Sequence, residues 1–364
     1  MHHPLRNGAL IAAVSLFALT GCSSPGTSAD GESLTTVRFG IPTQMGANNA
    51  PMAVADALGY FEEEGIRLEI VHTTDTTAII QGISSGNLEI GSTPPEPLLQ
   101  AIENGGDVAF VYNYIRQQTG SIAALAKGPI RSLEDLEGGA IGQSALGSSN
   151  LLLSNGILSS VGLEEDVDFT NVAVGTGAAA LQALETGQVD ALSLWDTEYA
   201  AFEQTGAELT YFTTPEVESL FSTTYFTSPD YVSSEPDVVE GFGRAMAKAT
   251  LFTATNPEAA LRIMYEAYPN TLLAGATEDE QLAIDIVALS RRIELLLAGD
   301  PQANGTWGAY SPEAIRAWED FALEAGIVDS EVDAASHVVN DFVDGYSDFD
   351  ADAVITEAQN WSAE

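Results

Sequence analysis

One cysteine, Cys22, stands among 364 residues. Without a second sulfur no intrachain disulfide can staple the fold and no thiolate cluster can hold a metal. Cations are almost as scarce: 12 Lys and Arg face 53 Asp and Glu, for a net charge of −41. Nucleic-acid binding is not expected, because phosphate contacts need a basic surface. The acid is spread along the chain and reads as a solvated surface. Four histidines offer no pair at metal spacing: His2 and His3 open the chain, while His72 and His337 lie far apart. No P-loop or nucleophile motif occurs, and Gly175-Thr176-Gly177 lacks the third glycine of a dinucleotide fingerprint. The expectation is a chain with no catalytic residues, no cofactor and no metal.

What is present begins with an N-terminal leader. His2, His3 and Arg6 precede an apolar run, Ala9 to Leu19, then Leu19-Thr20-Gly21-Cys22. The run is too short for a confident membrane span and reads as a secretion signal, residues 1–21. The last four residues match a bacterial lipobox. Lipidation at Cys22 would then anchor the protein to the extracytoplasmic face of the membrane. Residues 22–35 read as a flexible Ser/Gly/Asp-rich tether. No later stretch is long and apolar enough to span a membrane.

Beyond the tether, short apolar segments alternate with helical patterns over short loops. Strands are predicted at Thr36–Ile41, Arg67–Val71, Leu88–Gly91 and Val108–Tyr114, with helices between them. Thr93-Pro94-Pro95-Glu96 and Ser132–Asp135 read as capping boxes, Thr74 or Asp75 as a further cap. A second cluster restarts at Ser121–Ala126. Within it a strand ends at Gly142, a small-residue loop follows, and a helical pattern runs to Gly162. From Pro236 onward the chain reads as helical, including a helix at Glu331–Val343. Such alternation predicts parallel βαβ units in two α/β lobes, with ligand-binding loops at the strand C-terminal ends. The expected boundaries are 36–118 for the first part of lobe 1, 119–227 for lobe 2, and 228–364 for the return and C-terminal helices.

Several stretches resemble one family. Ala57-Leu58-Gly59-Tyr60-Phe61-Glu62-Glu63-Glu64-Gly65-Ile66, Ile83–Thr93, Ile130–Gly138, Gly147-Ser148-Ser149-Asn150-Leu151-Leu152-Leu153 and Leu184–Asp196 occur in the family's order. They are similar to substrate-binding proteins of ABC importers in the nitrate/sulfonate/taurine group, which includes thiamine-pyrimidine binders. That resemblance implies a two-lobed periplasmic-binding-protein type II fold with a helical C-terminal extension. It also implies hinge closure on a small molecule, a permease and its ATPase as partners, and a monomer. The favoured ligand is sulfonate-, taurine- or nitrate-like; the alternatives are a ligand-binding partner of a sensor kinase or a binder of a thiamine-related pyrimidine precursor. Pro94 and Thr197 depart from the sulfonate binders' pattern, at positions where ligand selectivity should be set. The pyrimidine-synthase branch relies on a cysteine-rich motif that this chain lacks.

Cleft candidates follow from strand ends. Arg116, after Tyr114 at a strand end, offers a planar fork for carboxylate or sulfonate, or else an interlobe ion pair. Gly147, Ser148, Ser149 and Asn150 put hydroxyls and free N–H groups at a helix start. Ser92 and Thr93 offer hydroxyls at another. Trp195 could wall an apolar ligand part and Asp196 accept from an amine, or the two could be a core residue and a cap. Gln44, Met45, Asn48 and Asn49 supply amides and a thioether. Thr176, Gly177 and Tyr225 complete the set. The expected ligand is a small organic anion or heteroaromatic compound, its anionic head on Arg116 and Gly147–Asn150.

Overall fold

The computed structural model describes residues 34–73 and 76–362. Cys22, the leader, the tether through residue 33 and the Thr74 or Asp75 cap lie outside them. The strands are β1 Thr35–Ile41, β2 Ile66–His72, β3 Ile90–Thr93, β4 Ala109–Asn113, β5 Gly120–Leu125, β6 Ala140–Gln143, β7 Thr170–Ala173, β8 Ala191–Trp195, β9 Leu209–Phe212 and β10 Thr224–Thr227. They form two five-stranded sheets, in the orders β2-β1-β3-β10-β4 and β7-β6-β8-β5-β9. Helices pack on both, giving a two-lobed α/β fold.

Within the sheets, β1 runs parallel to β2 and β3, and β6 parallel to β7 and β8. The all-parallel expectation fails for two strands. β5 is antiparallel to β8 and β9, and β10 to β3 and β4. These are the strands that follow each passage between sheets. The chain enters each sheet from the end where the parallel strands finish, so it must run the other way. The passages, Tyr114–Thr119 and Thr214–Thr223, meet where the Thr119 and Ser222 hydroxyls lie 3.0 Å apart.

Close packing explains the small residues beneath the first sheet. A Cβ on Gly91 would sit 2.6 Å from both Ile79 Cγ2 and Phe226 Cε1. No real side chain fits there, and the absent one lets helix Thr76–Ser84 lie against β3.

The C-terminal part supplies helices Pro236–Thr255, Pro257–Ala267, Glu278–Leu296, Pro312–Glu324 and Ala351–Asn360. Their starts are specified locally. Thr277 and Glu280 form a reciprocal capping box, and Ser311 Oγ accepts from Ala314 N at 3.1 Å. Helix Pro312–Glu324 closes one side of the molecule. Its Trp318 and Phe321 share a core with Leu98 and Leu99 of helix Glu96–Glu103 in the first lobe and Leu153 and Ile157 of helix Ser149–Ser159 in the second. Trp318 Nε1 donates to Phe221 O at 3.0 Å.

Three local expectations are corrected. Glu331–Val343 is not a helix: only a 3-10 turn, Ala334–His337, forms, and the chain then extends, Val339 N donating to Phe110 O at 2.9 Å. Bonding to the edge strand β4 outcompetes helix propensity. Thr93-Pro94-Pro95-Glu96 is not a capping box; Thr93 ends β3, and Pro95 is the residue before the helix, with no side-chain cap bond. Ser132–Asp135 forms half a box, Asp135 Oδ2 accepting from Arg131 N at 2.8 Å and Ser132 N at 3.1 Å before a 3-10 turn, Glu134–Leu136.

Candidate ligand-binding cleft

The parallel strands of both sheets end on one cavity of about 620 Å3, within the range typical of small-molecule sites. The loop after β1 contributes Gln44, Met45, Asn48 and Asn49; the end of β3 contributes Ser92; the segment after β4 contributes Tyr114. Lobe 2 adds Ser148, Ser149 and Asn150 after β6, Thr176 and Gly177 after β7, and Trp195 at the end of β8. Tyr225 enters from β10. The topology brings these expected residues together because strand ends, not helix faces, point at the gap.

Several polar atoms here have no protein partner. Asn49 precedes helix Ala50–Ala57 and Ser148 precedes helix Ser149–Ser159, but neither side chain caps its helix. Among the described residues, Asn49 Oδ1, Ser148 Oγ and the Tyr225 hydroxyl are buried without a hydrogen-bond partner. Buried polar atoms are normally paired, so such a cluster in one cavity marks where a ligand or water belongs. Tyr225 stacks on Tyr114, and burial holds the Tyr225 phenol well above its ordinary pKa and pushes Tyr114 up to about 12. Both are neutral donors at physiological pH.

Four expected residues do not line the cavity. Thr93 is fully buried outside its lining. Gly147 is exposed outside it. Arg116 is corrected on both counts: it meets neither ligand space nor an acid. Its Nε donates to Ala298 O at 2.7 Å and its Nη1 to Thr306 O at 3.1 Å, tying down the turn after helix Glu278–Leu296. Asp196 does not wait for an amine. It is buried and paired with Arg292, Nε to Oδ2 being 2.9 Å.

Sequence reasoning missed helix Glu278–Leu296 as a wall. Gln281, Ile284, Asp285, Ala288 and Arg292 form one stripe of that helix in the cavity lining. Polar residues recurring at helical spacing, Gln281, Asp285 and Arg292, carried the signal. Glu198, three residues past Trp195, was missed as well. Its Oε2 accepts from Gly177 N at 2.7 Å. Burial raises the Glu198 pKa, the Gly177 bond partly opposing it. Asp285 Oδ2 accepts from the Tyr265 hydroxyl at 2.7 Å and from Gln281 Nε2 at 3.1 Å. Burial raises its pKa too, against those two bonds. Glu198 Oε1 and Asp285 Oδ1 accept no hydrogen bond among the described residues. Among the described residues the lining thus presents two carboxylates and a single cation, Arg292, already paired. Such a surface suits a ligand rich in N–H donors.

Comparison with known proteins adds context to this geometry. Residues 46–260 match the family model described as NMT1/THI5 like. A formylaminopyrimidine-binding protein of Halalkalibacterium halodurans is 25% identical over 316 residues, 84% of this chain and 89% of that one. A 4-amino-5-hydroxymethyl-2-methylpyrimidine phosphate synthase of Legionella pneumophila is 22% identical over 228 residues, 61% of this chain and 70% of that one. Among solved structures, the alkanesulfonate-binding protein SsuA of Xanthomonas axonopodis pv. citri superposes with a TM-score of 0.62 at 19% identity, covering 84% of this chain and 98% of that one.

Proposed function

The chain belongs to the NMT1/THI5-like family, and on that footing we propose that it is the solute-binding component of an ABC importer for a neutral, N–H-rich heteroaromatic compound of the aminopyrimidine class. The observation that carries this reading is the cavity's imbalance of acceptors over free cations. Among the described residues, Asn49 Oδ1 is buried without a partner, Glu198 and Asp285 are each engaged through one oxygen only, and the one lining cation is paired. Exocyclic amines and ring N–H groups satisfy such oxygens; a sulfonate or nitrate does not. The aromatic stack of Tyr114 and Tyr225, with Trp195 also in the lining, gives a flat ring apolar surface. A relative named for binding a formylaminopyrimidine supports the same class.

In this reading the ligand is captured as the lobes close about the paired passages at Thr119 and Ser222. The loaded form docks on a permease driven by an ATPase, and a lipid on Cys22 keeps the protein beside them. No helix among the described residues is long and apolar enough to cross a membrane, which fits attachment by a lipid. A synthase reading gains no support from the cavity, whose lining contains no His or Cys.

A thermal-shift and calorimetric panel of aminopyrimidines, alkanesulfonates and nitrate tests the proposal. A ligand at a hundred times its Kd stabilises by about 2.7 kcal/mol. Stabilisation by sulfonates with none by aminopyrimidines would overturn the ligand class.

A further inference from the structure

We propose that Asp196 sets the charge selectivity of the cleft by occupying Arg292, the one cation that lines it among the described residues. This inference rests on reading the cavity as the ligand site. Arg292 lies on the cavity-facing stripe of helix Glu278–Leu296 and is 4% exposed. Its Nε donates to Asp196 Oδ2 at 2.9 Å, and its Nη2 pairs with Oδ1. The bidentate bond consumes one edge of the guanidinium. Nη1 has no hydrogen-bond partner among the described residues.

The pair is held from both ends. Asp196 is the first residue of helix Asp196–Gln204, where the helix dipole favours a carboxylate. Its backbone N donates to Thr119 O at 3.0 Å, fixing the helix start against the passage between lobes. Burial opposes the Arg292 charge, and the adjacent Asp196 carboxylate more than restores it. The neighbouring cation is consumed as well: Arg291 Nη2 meets Glu203 Oε2 at 2.5 Å on the same partner helix.

A ligand therefore meets a donor, Nη1, whose charge is already matched. A ring nitrogen or a carbonyl oxygen can accept from it. A sulfonate or carboxylate would enter a space lined by Glu198 and Asp285, with its natural counter-ion neutralised. Asp196, which touches no ligand in this arrangement, is then a positioning residue that decides between neutral acceptors and anions.

Calorimetry with two probes tests this, 4-aminopyrimidine for the neutral class and benzenesulfonate for the anionic class. The unaltered protein is expected to bind the first and reject the second. Asp196→Asn keeps the side-chain shape and frees the charge. Benzenesulfonate affinity should rise about ten- to a hundredfold, as one charged hydrogen bond provides. Adding Arg292→Gln should abolish that gain. Benzenesulfonate binding to the unaltered protein as tightly as 4-aminopyrimidine overturns the inference, and so does a folded Asp196→Asn variant with unchanged sulfonate affinity. Should Asp196→Asn not fold alone, refolding with benzenesulfonate but not with benzamide reads the same gain; no rescue overturns it. If 4-aminopyrimidine fails to bind the unaltered protein, the ligand class proposed above falls, while the sulfonate comparison still decides the role of Asp196.

Discussion

Tyr114 and Tyr225 stack with ring centroids 4.8 Å apart and planes 22° from parallel. Tyr112 also stacks on Tyr225, at 5.5 Å, and Phe39 meets Tyr225 edge-on at 5.2 Å. The Tyr225 ring is therefore core, while its hydroxyl is an unengaged group of the cavity. Tyr225→Phe should leave the melting temperature close to that of the parent and weaken ligand binding by about 0.5–1.5 kcal/mol, the net worth of one neutral hydrogen bond. Tyr225→Ala should instead cost about 3–5 kcal/mol of stability. Thermal melts beside calorimetry distinguish the two effects.

In the proposed contact Glu198 accepts from the ligand through its free oxygen when ionised. Because burial lifts its pKa, protonation begins at higher pH than for an ordinary carboxylate. Affinity for an N–H-rich ligand should be complete above that raised pKa and should fall as pH drops through it. Glu198→Gln should flatten the profile and cost about 1.5–3 kcal/mol of binding at neutral pH. A parent and variant with parallel pH profiles would exclude Glu198 from the contact.

Glu96 is 1% exposed with Oε2 unpartnered, and burial pushes its pKa up to about 8. The folded state then holds a proton that the unfolded chain releases near the ordinary 4.5. Between these values the native state binds more protons, so this group's contribution to stability falls as pH rises from about 4.5 to about 8. Denaturant titrations across that window should show a shallower decline for Glu96→Gln than for the parent.

Arg116→Ala removes two bonds to carbonyls and none to the cavity. The expected loss is about 1.5–3 kcal/mol of stability with ligand affinity retained. A selective loss of affinity, with melting unchanged, would return Arg116 to the site.

Cys22→Ser should release the protein from the membrane and leave ligand affinity intact. Fractionation after a salt wash reads the outcome; retention in the membrane pellet would refute lipid anchoring.

Much of this fold is legible because strand ends are punctuated. Strands β1 and β2 fall within one residue of their expected bounds, Thr36–Ile41 and Arg67–Val71, with Gly65 setting off the second. The loops after β1, β6 and β7 reach the cavity as expected because sheet topology alone sends them there. Arg116 was misread because scarcity of cations says nothing about unsatisfied carbonyls, and a helix end 182 residues away supplies them. Asp196 was misread for the same reason, its partner Arg292 lying 96 residues on. Glu331–Val343 has helical periodicity, yet β4 has an open edge that the sequence of this segment cannot reveal.

The core shared by Leu98, Leu153 and Trp318 passes under both sheets. The lobes cannot part on that side without wetting close-packed apolar surface, so the helix Pro312–Glu324 works as a stiff spring rather than a free pivot. Under the proposed hinge closure, parting falls to the cavity side, where the Asp196–Arg292 and Glu203–Arg291 pairs would have to break. A gape limited in this way restricts how large a cargo can enter. In the proposed importer, residence time would then depend on Trp318, a buried side chain outside the cavity lining, so delivery would be tunable without altering a contact in the site.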